Sequence, residues 1–240
     1  RIELDVVSLR RGEEPSPDLA ARAEVLYTGR YLPMPEAAPK LKWVQAHFAG
    51  VDSLAGHPLL KTGVQLTTLS GVHAAPMAEY VLMMMLAFAH RLPRMLDVQR
   101  RGEWPADRWE SLSAVELRGA TVGIVGYGSI GREIARLACA FGMEALATKR
   151  DAMRPADAGW IPAGQGDPGG DLLKRLYPPQ AFRSMLAECD YVVMTAPLTP
   201  ETRGLMGEAE FKAMKNSAVF INVSRGEVVD EAALVAALKS

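Results

Sequence analysis

The stretch Thr121-Val-Gly-Ile-Val-Gly126-Tyr-Gly128-Ser-Ile-Gly131 decides the fold of this 240-residue chain. Its first five residues are mainly apolar and β-branched, which predicts a strand, and Gly126, Gly128 and Gly131 follow as G-x-G-x-x-G. From Arg132 to Phe141, apolar residues recur at helical spacing. In this context the first glycine permits a tight turn, the second lets a pyrophosphate approach the backbone, and the third lets helix and strand pack closely. The stretch therefore predicts a dinucleotide-binding fold, with close packing alone as the alternative reason for the glycines.

A basic pair, Lys149 and Arg150, follows the next predicted strand, about 20 residues beyond the glycines. A carboxylate normally stands there and accepts hydrogen bonds from the ribose hydroxyls of NAD. Lys149 and Arg150 would instead attract a 2′-phosphate, which Arg can bind through two hydrogen bonds. The pair thus favours NADP over NAD. The alternatives are two solvated side chains at the start of a loop, or a carboxylate supplied by Asp151 after a small register change.

Strand-like and helical runs alternate along the chain, which predicts parallel α/β sheets. We expect a substrate domain over residues 1–92 and a doubly wound dinucleotide domain over residues 93–240, preceded by a linker helix and a dimerisation arm. The predicted strands are Asp5–Leu9, Val25–Thr28, Trp43–Ala46, Val64–Thr68, Thr121–Val125, Glu144–Thr148, Leu173–Tyr177, Tyr191–Thr195 and Ala218–Asn222. A doubly wound domain usually has about six strands. The second domain shows only five predicted strands, and the sequence ends at Ser240 within a helical pattern. We therefore expect both domains to be incomplete.

The composition argues against several kinds of partner. The net charge is −1 and the isoelectric point is near 6.5, so no basic footprint for nucleic acid is expected. The most apolar segment, Tyr80–Ala89, is shorter than the roughly 20 residues of a membrane span. Cys139 and Cys189 have neither a metal-ligand nor a redox spacing. We therefore expect no metal site, no membrane contact and a cytoplasmic location.

Two loops that follow predicted strands have residues suited to binding a small anion. Arg225 comes after the last strand, whose carboxyl end would face the ligand crevice, and its guanidinium can hold a carboxylate and polarise a carbonyl oxygen. Arg-Gly after a strand is also a common turn, so both interpretations stand. In Ala49-Gly50-Val51-Asp52, Gly50 would let consecutive backbone N–H groups bind an anion. The alternative interpretation is a helix N-cap by Asp52, and both roles are compatible.

Five runs of sequence, taken together and in this order, resemble the D-isomer-specific 2-hydroxyacid dehydrogenases, a family that includes glyoxylate/hydroxypyruvate reductases and phosphoglycerate dehydrogenases. The runs cover most of the chain: Trp43–Asp52, Met77–Leu82, Leu117–Gly131, Ala196–Thr202 and Asn222–Asp230. The resemblance implies a Rossmann domain with a flavodoxin-like α/β substrate domain, hydride transfer between NAD(P)H and a small 2-oxo acid, and a homodimer.

The resemblance also implies roles for individual residues. Ala49, Gly50 and Val51 would bind the substrate carboxylate, and Arg225 would bind both the carboxylate and the carbonyl oxygen. The residues implied at the cofactor are Gly126, Gly128, Ser129, Ile130, Gly131, Lys149, Arg150, Ala196, Pro197, Val223 and Ser224. Lys149 stands where NAD-using members carry Asp, which strengthens the NADP hypothesis.

The family's Glu–His pair, in which His is the general acid and base, normally lies beyond the Arg motif, so no residue of this sequence is assigned those roles. Among the histidines His47 lies nearest the loop of Ala49–Val51, where a structural role competes with substrate contact. Two other functions stay open. One is an NAD(P)-sensing binding protein like the family's corepressor relatives, and the other is a dehydrogenase acting on a substrate such as formate.

Overall fold

A computed structural model describes residues 3–10, 13–29, 31–54 and 56–239. Ser240, at which the sequence ends within a predicted helical pattern, lies outside the described residues. Contacts divide the chain into two compact units, residues 1–70 and residues 71–240. This division falls ahead of residue 92, at which the sequence places the boundary between domains. The boundary at residue 92 between a substrate domain and a dinucleotide domain stays a prediction.

The first unit contains a three-stranded parallel sheet in the order β1-β2-β3. Its strands are β1 (Val25–Thr28), β2 (Trp43–Ala46) and β3 (Gln65–Thr67), and helix α1 (Pro17–Arg22) precedes them. Leu32, Leu41, Val44, Leu54 and Leu59 form its buried core. The sheet and its parallel pairing agree with the α/β class expected for this part of the chain.

The strand predicted over Asp5–Leu9 is wrong, because this run has no regular secondary structure. Its alternating pattern reflects side chains that are not buried: Val6 is 88% exposed. Strand preference depends on packing against neighbouring strands, which this run lacks in the described structure.

The second unit contains a five-stranded parallel sheet in the order β6-β5-β4-β7-β8. The strands are β4 (Thr121–Val125), β5 (Glu144–Thr148), β6 (Arg175–Tyr177), β7 (Tyr191–Met194) and β8 (Val219–Asn222). The helices are α2 (Ala74–Ala89), α3 (Leu92–Arg101), α4 (Arg108–Ser111), α5 (Ser129–Ala140), α6 (Phe182–Leu186), α7 (Glu208–Ala213) and α8 (Glu231–Ala237). The chain winds outward from β4 in both directions, which confirms the doubly wound Rossmann class and places the topological switch between β4 and β7.

Helix α2 belongs to the second unit because its buried face packs on the sheet and on α5. Val81, Leu82 and Met85 share one core cluster with Ile124 of β4 and Ile134 of α5. The helical pattern of the sequence predicts one helix from about Ala74 to Arg91 that continues weakly to Arg101. In the structure that helix ends at Ala89 and a second begins at Leu92.

The break between α2 and α3 has a local cause. Arg91 adopts a left-handed conformation with φ of 52°, and Pro93 has no N–H with which to continue the ladder of α2. No helix in the described ranges is both long enough and apolar enough to cross a lipid bilayer. The cytoplasmic location stays a prediction.

Candidate active site

The glycine bend, residues 126–131, joins β4 to α5, and packing explains two of its three glycines. Gly126 has φ of 103°, and a Cβ there would lie 2.8 Å from the N and Cα atoms of Ala196. A Cβ on Gly131 would lie 2.5 Å from the carbonyl oxygen of Gly126 and 2.9 Å from Cγ2 of Ile124. These two positions therefore hold glycine for turn geometry and for close contact of helix and strand.

Gly128 is different, because no atom of the described residues, apart from Gly128 and its two chain neighbours, lies within 4 Å of the position a Cβ would take. Gly128 is exposed and is the N-cap of α5, and no side chain of the described chain caps that helix end. The first backbone N–H groups of a helix need partners and attract anions. Packing alone thus does not account for this glycine, whereas the approach of a phosphate does.

Neighbouring strands hold the backbone of the bend. The N–H groups of Gly126 and Tyr127 donate to the carbonyl oxygen of Thr148 at 3.2 and 3.0 Å. Oγ1 of Thr195 donates to the carbonyl oxygen of Gly126 at 2.6 Å. The bend is therefore fixed at the carboxyl ends of β4, β5 and β7, the edge at which doubly wound sheets bind ligands.

The loops after β7 and β8 lie side by side at this same edge. The hydroxyl of Ser224 donates to the carbonyl oxygen of Ala196, and the N–H of Val223 donates to the carbonyl oxygen of Met194 at 3.2 Å. Ala196 itself is buried against Gly126, while Pro197 is exposed. The structure thus brings together the residues Ala196, Pro197, Val223 and Ser224 that the sequence assigned to one groove.

Arg225 is exposed and follows β8 at the same edge of the sheet. Nδ2 of Asn222 donates to the carbonyl oxygen of Arg225 at 2.9 Å, and Oδ1 of Asn222 accepts from the N–H of Ser224 at 3.0 Å. The side-chain amide therefore closes the turn that presents Arg225. A guanidinium offers paired donors that match a carboxylate, so this position can bind the acid group of a small substrate.

Lys149 and Arg150 follow β5 but have different surroundings. Nζ of Lys149 donates to three carbonyl oxygens of the next loop, those of Arg154, Pro155 at 3.4 Å and Ala156 at 2.8 Å. Arg150 is exposed. Oδ1 of Asp151 accepts from the N–H of Met153 at 3.1 Å, and its Oδ2 pairs with Arg154 at 3.5 Å, so its carboxylate serves a local turn.

The loop of Ala49, Gly50 and Val51 lies in the first unit, after β2. The carbonyl oxygen of Val51 accepts from the N–H of Leu54 at 2.9 Å, and a short 3₁₀ turn begins at Asp52. His47 at the end of β2 accepts at Nδ1 from, or donates to, the hydroxyl of Tyr27, whose ring it meets edge-on. That contact favours the structural role for His47.

A family model for the D-isomer specific 2-hydroxyacid dehydrogenase, NAD binding domain, matches residues 82–240, more than half of the chain. The chain belongs to the D-isomer specific 2-hydroxyacid dehydrogenase family. The matched range contains the glycine bend, the basic pair after β5 and Arg225, and it confirms the resemblance inferred from the sequence.

Known members of the family match at moderate identity. The glyoxylate reductase of Thermococcus litoralis is 34% identical over 208 residues, which cover 85% of this chain and 58% of that protein. A crystal structure of a family protein from Aeromonas salmonicida subsp. salmonicida has a TM-score of 0.74 and 29% identity, covering 94% of this chain and 66% of that one. The family member from Xanthobacter autotrophicus, in complex with NADPH and MES, has a TM-score of 0.72 and 28% identity, covering 94% and 65%. This chain therefore spans less than two thirds of each of these relatives.

Sequence analysis missed two residues of this dehydrogenase-family site. Thr195 and Asn222 contribute side-chain hydrogen bonds that hold the glycine bend and the Arg225 turn. Both stand at strand ends directly before predicted site residues. A polar side chain at the carboxyl end of a buried parallel strand was therefore the available signal.

Proposed function

We propose that the protein containing this chain transfers a hydride between NAD(P)H and a small 2-oxo acid, with D-isomer specificity. One observation carries the proposal. The open glycine bend and the Arg225 turn occupy one edge of the sheet and are linked by direct contacts from Gly126 to Ala196 and from Ala196 to Ser224. This arrangement supports a diphosphate and a carboxylate being bound by neighbouring loops.

The described residues divide the chemistry between binding and polarisation. The backbone N–H groups of Ser129 and Ile130, at the start of α5, would hold the pyrophosphate. NAD(P)H, when bound, supplies the hydride that adds to the carbonyl carbon. Arg225 would bind the substrate carboxylate and stabilise the negative charge that develops on the carbonyl oxygen. That oxygen also needs a proton, and a positioned acid contributes roughly 10²- to 10⁴-fold to such a step.

The test is reduction of glyoxylate and hydroxypyruvate by the full-length protein, followed through the absorbance of NADPH or NADH. Arg225→Met is expected to lower kcat/KM about 100-fold or more, because charge-assisted hydrogen bonds to the substrate are lost. Arg183→Met is the matched control, since this exposed arginine pairs with Glu210 on the surface. Tight dinucleotide binding without turnover of any 2-oxo acid would instead support an NAD(P)-sensing binding protein.

We further propose that Arg150 makes NADP(H) the preferred cofactor. Its exposed guanidinium stands at the end of β5, where a ribose 2′-phosphate is recognised in this fold. The ammonium of Lys149 is already bound to loop carbonyls, so we assign it the shaping of the site and assign the phosphate contact to Arg150.

We infer that the second unit pairs with a second copy of the chain. An apolar groove of about 670 Å³ runs along α2, α3 and α5, and its lining includes Leu82, Met83, Leu92, Met95 and Phe141. In the arm beyond α3, Trp104 and Trp109 are each 80% exposed. Extended apolar surfaces of this kind mark interaction sites, and the family resemblance implies a homodimer.

Light scattering on the eluting protein tests this pairing. The double variant Trp104→Ser/Trp109→Ser is expected to shift the protein toward the monomer. Trp160→Ser is the matched control, because Trp160 is also an exposed tryptophan but lies in the loop between β5 and β6. A monomeric wild-type protein at micromolar concentration would contradict the inference.

A further inference from the structure

Residues 151–171 form most of the connection between β5 and β6, and this fully described connection contains no helix where doubly wound folds normally place one. Long connections without secondary structure are uncommon in compact domains and are usually functional or disordered. This loop is ordered by buried polar side chains. Glu133 of α5, for example, accepts a hydrogen bond from the N–H of Gly166 at 2.6 Å.

The main contact between loop and fold is Arg132 of α5, whose side chain is fully buried. One terminal nitrogen donates to the carbonyl oxygen of Asp167 and the other to that of Pro155 at 2.5 Å. Its Nε lies 3.4 Å from Oδ2 of Asp157, and the guanidinium lies over the ring of Tyr127, 4.5 Å from its centroid. A buried guanidinium is costly unless it is paired. Both terminal nitrogens of Arg132 meet loop carbonyls, whereas Nε has no hydrogen-bond partner among the described residues and only the charge of Asp157 beside it, so the loop supplies the partners that this side chain has.

Asp167 completes the cluster from the side of the loop. Its Oδ2 accepts from the hydroxyl of Tyr127 at 2.5 Å and from the N–H of Leu172 at 3.1 Å, and its Oδ1 accepts from the N–H of Asp171 at 2.9 Å. Burial acts to raise the pKa of the Asp167 carboxyl, but these hydrogen bonds and the charge of Arg132 outweigh it and leave the pKa below its ordinary value. The carboxylate is therefore the form that the folded protein selects.

This cluster reaches the glycine bend through Tyr127, which stands between Gly126 and Gly128. The N–H of Tyr127 binds the carbonyl oxygen of Thr148, and the next residue, Lys149, binds the loop carbonyls of Arg154 and Ala156. The glycine bend, the end of β5 and the loop of residues 151–171 are thus joined to one another by hydrogen bonds.

We propose that Tyr127, Arg132 and Asp167, here called the brace, are positioning residues that use the loop of residues 151–171 to hold the glycine bend in its pyrophosphate-binding conformation. The proposal rests on the proposed function, because it takes a dinucleotide as the ligand of the bend. The brace acts through the backbone N–H groups at the start of α5. Loss of the brace should therefore weaken NADP⁺ and NAD⁺ by the same factor, since both carry the same pyrophosphate.

The chain offers a closely matched control for Tyr127→Phe. Tyr177 is likewise buried, at 3% exposure against 2% for Tyr127. Its hydroxyl donates to Oε1 of Glu188 at 2.5 Å, and the guanidinium of Arg175 lies 4.7 Å from its ring centroid. Tyr177 belongs to the core cluster on the other face of the sheet. Tyr177→Phe therefore removes a hydroxyl–carboxylate bond of the same length whose carboxylate, Glu188, is exposed and lies outside the loop of residues 151–171.

The experiment measures, by calorimetric titration with NADP⁺ and with NAD⁺, the Kd of wild type, Tyr127→Phe and Tyr177→Phe, well below their melting temperatures. We expect Tyr127→Phe to raise both Kd values about 10-fold, because preorganisation is lost, and Tyr177→Phe to leave them unchanged. Hydrogen exchange should quicken at the bend amides of residues 126–131 in Tyr127→Phe only. Equal Kd values for Tyr127→Phe and wild type, or equal increases in both variants, would overturn the proposal.

Failure of the proposed function gives a separate result. If the wild type binds neither dinucleotide, the proposed function fails. Hydrogen exchange at the bend amides of residues 126–131 then tests whether the brace positions the bend. Unchanged exchange at the bend amides in Tyr127→Phe would overturn the proposal in that case. Faster exchange confined to this variant would support the positioning of the bend.

Discussion

Asn222 holds Arg225 by its backbone, with Nδ2 donating to the carbonyl oxygen of Arg225 at 2.9 Å. The same side chain accepts from the N–H of Ser224, so one amide closes both ends of the turn. Because the direction of the guanidinium depends on this turn, Asn222 is a positioning residue for the carboxylate contact that we propose for Arg225.

Asn222→Ala is therefore expected to lower kcat/KM for a 2-oxo acid about 10-fold, or about 1.4 kcal/mol. The dinucleotide Kd should stay within twofold of wild type, because the glycine bend does not use this amide and Ser224 keeps its own hydroxyl bond to the carbonyl oxygen of Ala196. Asn216→Ala is the control, since Asn216 is an exposed asparagine just before β8, at the opposite end of that strand. Steady-state kinetics with titration of both substrates checks the prediction, and an unchanged kcat/KM would show that Asn222 does not position Arg225.

Cofactor preference should follow Arg150 rather than Lys149. Arg150→Gln is expected to raise the Kd of NADP⁺ roughly 10-fold and to leave that of NAD⁺ unchanged, because only the 2′-phosphate loses a charge-assisted partner. Lys149→Gln should weaken both nucleotides alike, since the loop carbonyls lose their ammonium. Tighter binding of NAD⁺ than of NADP⁺ by the wild type would refute the preference.

Two glycines of the bend should respond differently to alanine. In Gly131→Ala the new Cβ would meet the carbonyl oxygen of Gly126, so we expect a loss of about 1–3 kcal/mol of stability. In Gly128→Ala the new Cβ meets no described residue other than its chain neighbours, so this variant should melt near the wild-type temperature while binding NADP⁺ more weakly. Differential scanning calorimetry and titration separate the effects, and an equal loss of stability in both variants would contradict this assignment.

The two thiols should be unreactive in the folded protein. Burial raises the pKa of Cys189 to about 12 and also raises the pKa of Cys139. Iodoacetamide at pH 8 should modify neither in the native state and both in denaturant, as mass spectrometry would show. Rapid native modification of Cys189 would contradict its burial.

The same shift makes stability depend on pH. The folded protein keeps Cys189 protonated more strongly than the unfolded chain does, so this contribution to stability is fully present below the ordinary pKa of 9.0. It is lost as the pH rises toward 12. Cys189→Ala should reduce the alkaline fall of the unfolding free energy, measured by urea titration between these limits.

The sequence predicted the second unit well because its central strands β4, β5 and β7 are almost wholly buried and read as short apolar runs. Thr121–Val125 and Glu144–Thr148 have the predicted bounds, and the three other strands of this sheet differ only at one end. Asp5–Leu9 shows the same kind of pattern without a partner, and a pattern alone does not reveal whether a neighbouring strand exists. Pro93 indicates that α2 ends before it, although the helical periodicity continues past this residue.

Side-chain partners within the candidate site were harder to predict. Lys149 was read as a phosphate ligand because of its position after β5, but its ammonium binds carbonyls of a loop that has no sequence motif. The helical pattern makes no prediction for the side chains of Arg132 and Glu133, and only the folded loop shows why they are buried. Contacts across 20 or more residues of irregular chain depend on tertiary geometry that periodicity does not encode.

The carbonyl oxygen of Thr148 accepts from the N–H groups of Gly126 and Tyr127, so the support at this point comes from the main chain and does not depend on side-chain identity. An exchange at Arg150, two residues later, leaves that support intact. On the role proposed for Arg150, a change of nucleotide would therefore not require the supporting scaffold to be rebuilt, and a designer who wishes to alter that choice would begin with a single codon.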